Sequence, residues 1–413
     1  MDDQRGGPAG QALPHPLPLP LPDGAHGMAP PYFERLRRER PVARVSLPSG
    51  ENAWLITRYQ DATAIGSDRR FSRDLTAAGT IRLPREDFNS VKGGIFNLDP
   101  PRHTTVRRIL QPYFSPAAAH ALRDSITGYA HELIDSLEAG PNPTDLMNAY
   151  AFPLALMMAC KVMAVPVEQR RTIVPETRTQ MDWRQDSALI GPSTQRLMAF
   201  ADDVIAAKRA EGPTDRDPIG ALIRTQASGD IDADELRGTV MYLFLTSAEP
   251  LTGPTGVGVY TLLRHPAILA RLRAEPNDAL WDEAVRELLR FHHNSATSLP
   301  RLALEDVEVG GVLIRRGELV ITPWLAATWD PAHYKDPEKF RLGRAAAERP
   351  EITFGSGPHF CLGANIAVMH LHVALRILWE RLPELSLAVR HMDVAWEPPD
   401  FLFTRPVELP VTW

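Results

Sequence analysis

The residue with the most distinctive chemistry is Cys361, which follows a glycine-punctuated loop and precedes an apolar run, 364–369, that is typical of a helix. This position places the sulfur at a helix N-terminus, where free N–H groups and the helix dipole favour a thiolate. Gly355 and Gly357 permit backbone angles that are closed to other residues, and Gly363 allows a flat group to approach the backbone closely. A thiolate on such a bare surface suits an axial bond to haem iron.

The alternative is a buried cysteine that only packs, which is the usual fate of a free cysteine. The segment from Phe354 to Gly363, however, reads Phe-Gly-x-Gly-x-His-x-Cys-x-Gly and resembles the haem-binding loop of the cytochrome P450 family. The resemblance implies haem b as the cofactor, with Cys361 as the ligand of the iron and with Phe354 and Gly363 in contact with the haem.

Haem carries two propionates, so a haem protein must place cations to meet them. His103 and Arg107 are four residues apart in a helix that two prolines start, and they therefore share one face. Without the cysteine loop, a solvated basic helix would be the simpler interpretation. The segment resembles the propionate-binding helix of the family, and the same resemblance adds Arg301 and His359 as the remaining propionate contacts.

Glu287 and Arg290 lie three residues apart on one predicted helix face and are able to pair. Glu283 and Arg286 have the same spacing, so spacing alone leaves the register open. The surrounding residues favour the first pair, which resembles the buried Glu-x-x-Arg ion pair of the P450 family. Its role would be structural, and the resemblance points to Arg341 as the third member.

A long apolar pattern, 233–263, predicts a central helix, the element through which P450 enzymes usually deliver protons for oxygen activation. The typical family pattern there is Ala/Gly-Gly-x-Asp/Glu-Thr, whereas residues 246–252 read Thr-Ser-Ala-Glu-Pro-Leu-Thr. The acid is kept as Glu249. Pro250 replaces the alcohol, and Ser247 replaces the preceding glycine.

Proline lacks an N–H group, so Pro250 removes the helical partner of the Thr246 carbonyl. A second proline four residues later strengthens the prediction of a strongly distorted or interrupted helix, with a neutral loop insertion as the alternative. The proton relay would then use Thr246, Ser247 or Thr252 with ordered water, or a polar group of the substrate. A reaction that removes hydrogen without inserting oxygen would not need the full relay.

Substrate contacts are predicted only by matching the variable regions of the family, and core packing is the alternative for each of them. The positions are mostly apolar or aromatic and suit a mid-sized, partly polar organic molecule. They are Phe88, Val91, Ile95, Phe96, Tyr242, Leu245, His293, Asn294, Thr297 and Leu402.

Composition narrows the class of protein. The chain has 413 residues, 44% of them hydrophobic, and a net charge of −6, which favours neither nucleic acid nor an anionic membrane as a partner. The N-terminus lacks the basic start and apolar core of a signal peptide, and no uninterrupted apolar run approaches the roughly 18 residues of a membrane span. We therefore expect a cytoplasmic protein. Cys160 lies in an apolar helical pattern and is predicted to pack in the core.

The periodicity predicts a mainly α fold with small β-sheets, which is the architecture of a single haem-thiolate domain of the P450 type. Residues 1–30 are rich in proline and are expected to form an N-terminal extension to the domain at 31–413. Long helices are predicted from 102 to 292 and again at 361–381. Short strands are predicted between 302 and 321.

The function that the resemblance implies is a haem-thiolate oxidase or monooxygenase that acts on an organic natural product with dioxygen. Ferredoxin and a ferredoxin reductase would supply the electrons, because no flavin or iron–sulfur segment is present. A non-hydroxylating tailoring enzyme (coupling, ring closure or desaturation) or a peroxide-driven enzyme is the alternative that Pro250 favours. A haem-thiolate binding or sensing protein without turnover is the alternative from another class.

Overall fold

The structure is a computed structural model, and it describes residues 15–21, 29–47, 50–75, 91–275, 277–292, 298–345, 348 and 351–413. The described residues form fifteen α-helices: α1 Tyr32–Glu39, α2 Tyr59–Ser67, α3 Arg102–Leu110, α4 Pro116–Glu138, α5 Phe152–Met163, α6 Val167–Arg171, α7 Val174–Met181, α8 Ser187–Glu211, α9 Pro218–Ser228, α10 Ala233–Leu245, α11 Glu249–Arg264, α12 Pro266–Ala274, α13 Asp278–Phe291, α14 Trp324–Thr328 and α15 Ala364–Arg381. A π-helical turn, Met147–Ala151, leads into α5.

Eleven short strands belong to the described residues: β1 Leu17–Pro18, β2 Val42–Ser46, β3 Asn52–Ile56, β4 Phe71–Ser72, β5 Thr144–Asp145, β6 Arg301–Ala303, β7 Val307–Val309, β8 Val312–Ile314, β9 Leu319–Ile321, β10 Ser386–Leu387 and β11 Pro410–Thr412. They form a six-stranded sheet in the order β1-β2-β3-β9-β6-β4, a three-stranded sheet β10-β11-β5 and the hairpin β7-β8. Gly310 and Gly311 both have positive φ in the two-residue turn of that hairpin, as a type I′ turn requires.

The mainly α fold with small sheets is confirmed. Helix α15 starts just after Cys361 and packs against α4, α11 and α13, so the loop that carries the cysteine is anchored on the helical core. The stretch Gly357–Arg381 is long and apolar enough to cross a membrane, but 61% of its most apolar window is buried inside the protein. Such burial is typical of a helix in the core of a protein.

Part of the proline-rich N-terminal segment packs on the six-stranded sheet. Strand β1 pairs in parallel with β2, and Leu17, Leu19 and Leu21 are buried beside the residues of that sheet. Alternating leucines reach the core because an extended backbone turns every second side chain to the same face. The domain boundary at residue 30 stays a prediction.

The predicted central helix is interrupted, as its prolines indicate. Helix α10 ends at Leu245 and α11 begins at Glu249, so residues 246–248 form a break between two helices rather than one helix over 233–263. Pro250 lies in the first turn of α11, where the missing N–H group costs nothing, whereas Pro254 lies inside α11. The break therefore precedes the first proline and does not follow it.

Candidate active site

The loop before Cys361 is held by its glycines and by main-chain hydrogen bonds. Gly355 and Gly357 have φ of +88° and +75°, angles that side chains with a Cβ rarely adopt. A Cβ on Gly357 would also collide with the main chain of Gly66 at the end of α2. The N–H of Cys361 donates to the carbonyl of Phe354 at 2.8 Å and closes the loop. The sequence motif thus sets the backbone that presents the sulfur.

Cys361 opens onto a cavity of about 390 Å³, and protein surrounds the residue on the other sides. Burial raises the pKa of its thiol, while the N–H of Gly363 and the charge of Arg107 lower it. The thiolate that we expected from the helix terminus is therefore not favoured by the protein alone. A bound metal deprotonates a coordinating thiol outright, so iron would supply the missing stabilisation.

Four basic side chains predicted to meet the propionates line the same cavity: His103, Arg107, Arg301 and His359. The rings of His103 and His359 have centroids 4.1 Å apart. Burial and the neighbouring arginines lower the pKa of His103 to about 4, and burial lowers the pKa of Arg301 to about 10. Nη1 of Arg107 also donates to the carbonyl of Phe360 at 2.6 Å, so this arginine braces the cysteine loop as well.

The four basic side chains His103, Arg107, Arg301 and His359, here called the clamp, fit a dianionic group. Nε2 of His359 is buried and has no hydrogen-bond partner among the described residues. Burial lowers the pKa of His359, and the nearby basic groups lower it further, so positive charge is concentrated here beyond what the protein neutralises. Gly363 also lines the cavity, and a Cβ on it would project into open space. An orphaned donor, clustered cations and a bare surface beside a thiol together match the propionates, the ring and the iron of haem.

The sequence analysis missed Arg73, which also lines this end of the cavity. It is 2% exposed, and its Nε donates to the carbonyl of Phe96 at 3.2 Å while Nη1 donates to that of Pro300. Arg73 thereby joins two walls of the cavity and adds a fifth basic group near His359. Arg73 follows the short strand β4 and belongs to no motif that would have singled it out in the sequence.

Glu287 and Arg290 form a buried, two-pronged ion pair with both N–O distances at 2.8 Å. The predicted third member, Arg341, is wrong for the side chain: its guanidinium faces Glu348, and only its main-chain N–H donates to Glu287. Arg344 supplies the third charge, with Nε 2.7 Å from Glu287. Arg341 and Arg344 share one irregular segment, where no periodicity decides which side chain turns inward.

The break in the central helix contributes Thr246 and Ser247 to the cavity wall, and the first turn of α11 contributes Pro250. Both hydroxyl groups donate to carbonyls near the end of α10: Thr246 to Tyr242 at 2.8 Å and Ser247 to Phe244 at 3.2 Å. These two hydroxyls are thus beside the cavity and already oriented by the end of the helix.

Glu249 and Thr252, the other two predicted relay residues, do not line the cavity. Glu249 is 2% exposed and faces Arg405, with Nη1 3.1 Å from Oε2. Thr252 is fully buried and donates to the carbonyl of Ala248 at 3.2 Å. The start of α11 therefore turns Pro250 and Leu251 toward the cavity and the acid away from it.

Among the predicted substrate contacts, five line the cavity: Ile95, Phe96, Tyr242, Leu245 and Leu402. Val91 does not line the cavity, and it is buried in the main core. Phe88, His293, Asn294 and Thr297 lie outside the described residues. The walls also include residues that the sequence did not single out, notably Ser298 and Thr322, whose hydroxyls are 3.2 Å apart.

Comparison with known proteins agrees with this geometry. Residues 179–383 match the family model described as Cytochrome P450. The chain is 36% identical to pentalenic acid synthase of Streptomyces avermitilis (93% of this chain, 94% of that protein) and 34% identical to mycinamicin IV hydroxylase/epoxidase of Micromonospora griseorubida (92% and 94%). The crystal structure of cytochrome P450mel 107F1 with biaryl coupling reactivity superimposes with a TM-score of 0.86 at 32% identity, covering 95% of this chain and 98% of that one. The chain belongs to the cytochrome P450 family and is an oxidoreductase of the monooxygenase type, akin to actinomycete enzymes of secondary metabolism.

Proposed function

We propose that this enzyme holds haem b on Cys361 and oxidises a mid-sized natural product in the cytoplasm, with electrons from ferredoxin and ferredoxin reductase. One observation carries the proposal: a single cavity has the sulfur of Cys361 and the basic clamp at one end and mostly apolar walls at the other. Haem b bound there would activate dioxygen for insertion into an organic substrate.

The side chains of the protein divide the work around that group. The sulfur of Cys361 would donate electron density to the iron, as thiolate ligands do. The clamp would fix the ring through its propionates, and burial strengthens each of these charge-assisted bonds. Phe96, Leu245 and Leu402 would exclude water and orient the substrate by shape.

The surface behind the cysteine loop supports an acidic electron-donor protein. A second cavity of about 360 Å³ borders Phe360 there, and its lining includes Arg123 and Arg286 beside one carboxylate, Asp282. Arg123 also lies 3.6 Å from Asp278, so Arg286 is the main basic group that would steer an acidic ferredoxin to the side of the protein that carries the sulfur.

A second candidate is oxidation without oxygen insertion, such as coupling or ring closure. It is favoured by the position of Glu249 and Thr252, neither of which faces the cavity, while Pro250 stands where the family has its alcohol. A cavity that neither the acid Glu249 nor the usual alcohol reaches suits a reaction in which hydrogen is abstracted from the substrate and no oxygen is inserted. P450mel 107F1, which is 32% identical to this chain, has biaryl coupling reactivity, and this likeness supports the second candidate.

Turnover under oxygen-18 gas tests the two candidates. The purified haem enzyme, with a ferredoxin and its reductase, would be given ligands selected by spectral titration. Incorporation of labelled oxygen supports the monooxygenase, whereas unlabelled, dehydrogenated or coupled products support the second candidate. Failure to retain haem at all would contradict both.

Pro250→Thr, which restores the usual alcohol, tests the altered relay. The variant should raise the share of oxygen-inserted product, because a hydroxyl then stands at the cavity wall where Pro250 is. The same product distribution in the variant and the parent enzyme would count against an altered relay.

A further inference from the structure

Three charged side chains lie buried behind the break between α10 and α11: Glu249, Arg405 and Arg170, which are 2%, 4% and 1% exposed. Arg170 belongs to α6, and Arg405 belongs to the C-terminal segment. Arg405 faces Glu249 at 3.1 Å and Glu397 at 3.5 Å. The interrupted helix thus has a buried charged cluster beside it, and none of its three side chains lines the cavity.

This cluster carries unsatisfied polar atoms. Among the described residues, no hydrogen-bond partner exists for either carboxylate oxygen of Glu249, for Nε and Nη1 of Arg170, or for Nε of Arg405, although Oε2 of Glu249 lies 3.1 Å from Nη1 of Arg405 in an ion pair. Leaving polar atoms of buried charged groups without hydrogen bonds is costly, and proteins satisfy such atoms with ordered water. Five donor and acceptor atoms on three charged side chains point to water bound between them.

The cluster is connected to the cavity by one carbonyl. Helix α10 ends one residue after Phe244, where a helix leaves carbonyls to be satisfied by side chains. The Phe244 carbonyl accepts from Nη2 of Arg170 and, at 3.2 Å, from the hydroxyl of Ser247. Ser247 itself lines the cavity. Arg170 and Ser247 are therefore oriented by the same atom from opposite sides of the break.

The cavity also reaches the side of the break on which Arg170 lies. Its walls include Ala159 and Val162 of α5, and Ala159 packs with Cys160 and with Ala248 of the break. Burial lowers the pKa of Arg170 to about 10, and Cys160 and Glu249 oppose this shift. The guanidinium group stays charged at neutral pH, so it can hold both a carbonyl and water.

We propose that Ser247 is the hydroxyl that delivers protons to the cavity and that Arg170 is its positioning residue. This inference rests on the proposed function and specifies its altered relay. Ser247 would give its hydroxyl proton to the oxygen that is reduced in the cavity and take one back from water held between Arg170 and Glu249, and solvent would restore the proton to that water. Arg170 moves no proton; it fixes the Phe244 carbonyl and the water.

Thr246 is the competing hydroxyl, and its contacts set it apart. Its hydroxyl and its own N–H both donate to the carbonyl of Tyr242, at 2.8 Å and 3.0 Å. This arrangement is a self-contained helix end, and within the described part of the chain the Thr246 hydroxyl makes no hydrogen bond to the charged cluster. Ser247 is the cavity hydroxyl that shares a partner with a buried charge.

The test is a double-mutant cycle on the haem enzyme with Ser247→Ala, Arg170→Met and the double variant. We expect kcat for oxygen insertion to fall by about 10²-fold in each single variant, the lower end for a positioned proton donor. The double variant should fall no further, because both changes interrupt one path. Arg170→Lys should recover part of the loss. Arg171→Met, an exposed neighbour with the same loss of charge, is the matched control and should leave kcat unchanged.

Two readouts separate a relay from mere structural support. The solvent deuterium isotope effect on kcat should increase in Ser247→Ala and Arg170→Met, because proton delivery becomes slower than the other steps. A crystal structure of the parent enzyme should show ordered water between Glu249 and Arg170.

Unchanged kcat in Ser247→Ala, additive losses in the double variant, or a dry cluster would overturn the inference. Loss of kcat only in proportion to loss of folded, haem-containing protein would overturn it too. In all of these outcomes the carbon monoxide spectrum and the turnover of the parent enzyme still report separately on the proposed function. If Arg170→Met does not fold, Ser247→Ala and Arg170→Lys decide the question.

Discussion

The buried carboxylates of Glu287 and Glu249 differ sharply in how many hydrogen bonds they accept from the protein. Glu287 is 3% exposed and accepts from Arg290, from Arg344 and from a main-chain N–H. Glu249 is 2% exposed and faces Arg405, yet neither of its oxygens accepts a hydrogen bond from a described residue. Both residues carry charge into the core, but only the first has its acceptors filled.

This difference in hydrogen bonding indicates that Glu287 serves a structural ion pair, whereas Glu249 is available for chemistry. A carboxylate whose lone pairs are all occupied cannot bind water or exchange protons without losing bonds. Glu287 therefore holds the segment around Arg344 against α13. Glu249 has acceptor capacity left beside the break in the central helix, where the proposed relay would deliver protons.

The largest effect is expected for Glu287→Gln. The change leaves the buried guanidinium groups of Arg290 and Arg344 without their charge partner, and breaking such a buried pair costs about 3–5 kcal/mol. Urea unfolding of the haem-containing protein should show a loss of this size in the free energy of unfolding.

Arg390→Gln is the control, because Arg390 pairs with Asp393 at the surface, where ion pairs contribute little. We expect no measurable change for it. Equal losses in both variants would remove the distinction between the buried and the exposed pair.

Glu249→Gln should lower the stability less than Glu287→Gln does and should lower kcat more. Arg405 keeps Glu397 as a partner, so the loss of stability should be smaller, about 1–3 kcal/mol for one unsatisfied group. The loss of kcat for oxygen insertion should reach about 10²-fold, as for removal of a proton-handling group. A variant that unfolds like Glu287→Gln but keeps its kcat would reverse the assignment of the two carboxylates.

His370 extends the comparison to an unsatisfied group that does not line the cavity. It is fully buried in α15, and neither ring nitrogen has a hydrogen-bond partner among the described residues. Burial lowers its pKa from 6.5 to about 4. Between these values the unfolded chain binds a proton that the native protein does not, so stability is full above pH 6.5 and falls as the pH drops toward 4.

His370→Leu should therefore flatten the acid side of the stability profile, which is the smallest effect of the three. Urea midpoints at about pH 7.5 and about pH 5 measure it, since one unit of pKa shift corresponds to about 1.4 kcal/mol. The same slope in the variant and the parent enzyme would show that His370 is not the group that titrates.

The backbone of the cysteine loop and the shared helix face of His103 and Arg107 were predictable because their signals are local: positive φ at Gly355 and Gly357 and a four-residue spacing follow from backbone geometry. The role of these residues toward haem, and the addition of Arg301 and His359, were implied only by the resemblance to the P450 family. The interruption of the central helix was predictable in the same way, from prolines that cannot donate.

The partners of the break were not predictable, because they come from distant segments. Arg170 and Arg405 reach Phe244 and Glu249 only once α6 and the C-terminal segment have packed against the central helix. The direction of Glu249 depends on where α11 begins, and a shift of one residue in a helix start rotates each side chain by about 100°. The sequence shows that an acid is present but not which side of the helix it faces.

The central claim is that Cys361 binds haem iron through its sulfur. The most direct measurement is the carbon monoxide difference spectrum of the reduced protein, taken for the parent enzyme and for Cys361→Ala. The account predicts the spectral signature of thiolate ligation in the parent enzyme and its disappearance in the variant. An unchanged signature and unchanged haem content in Cys361→Ala would contradict it.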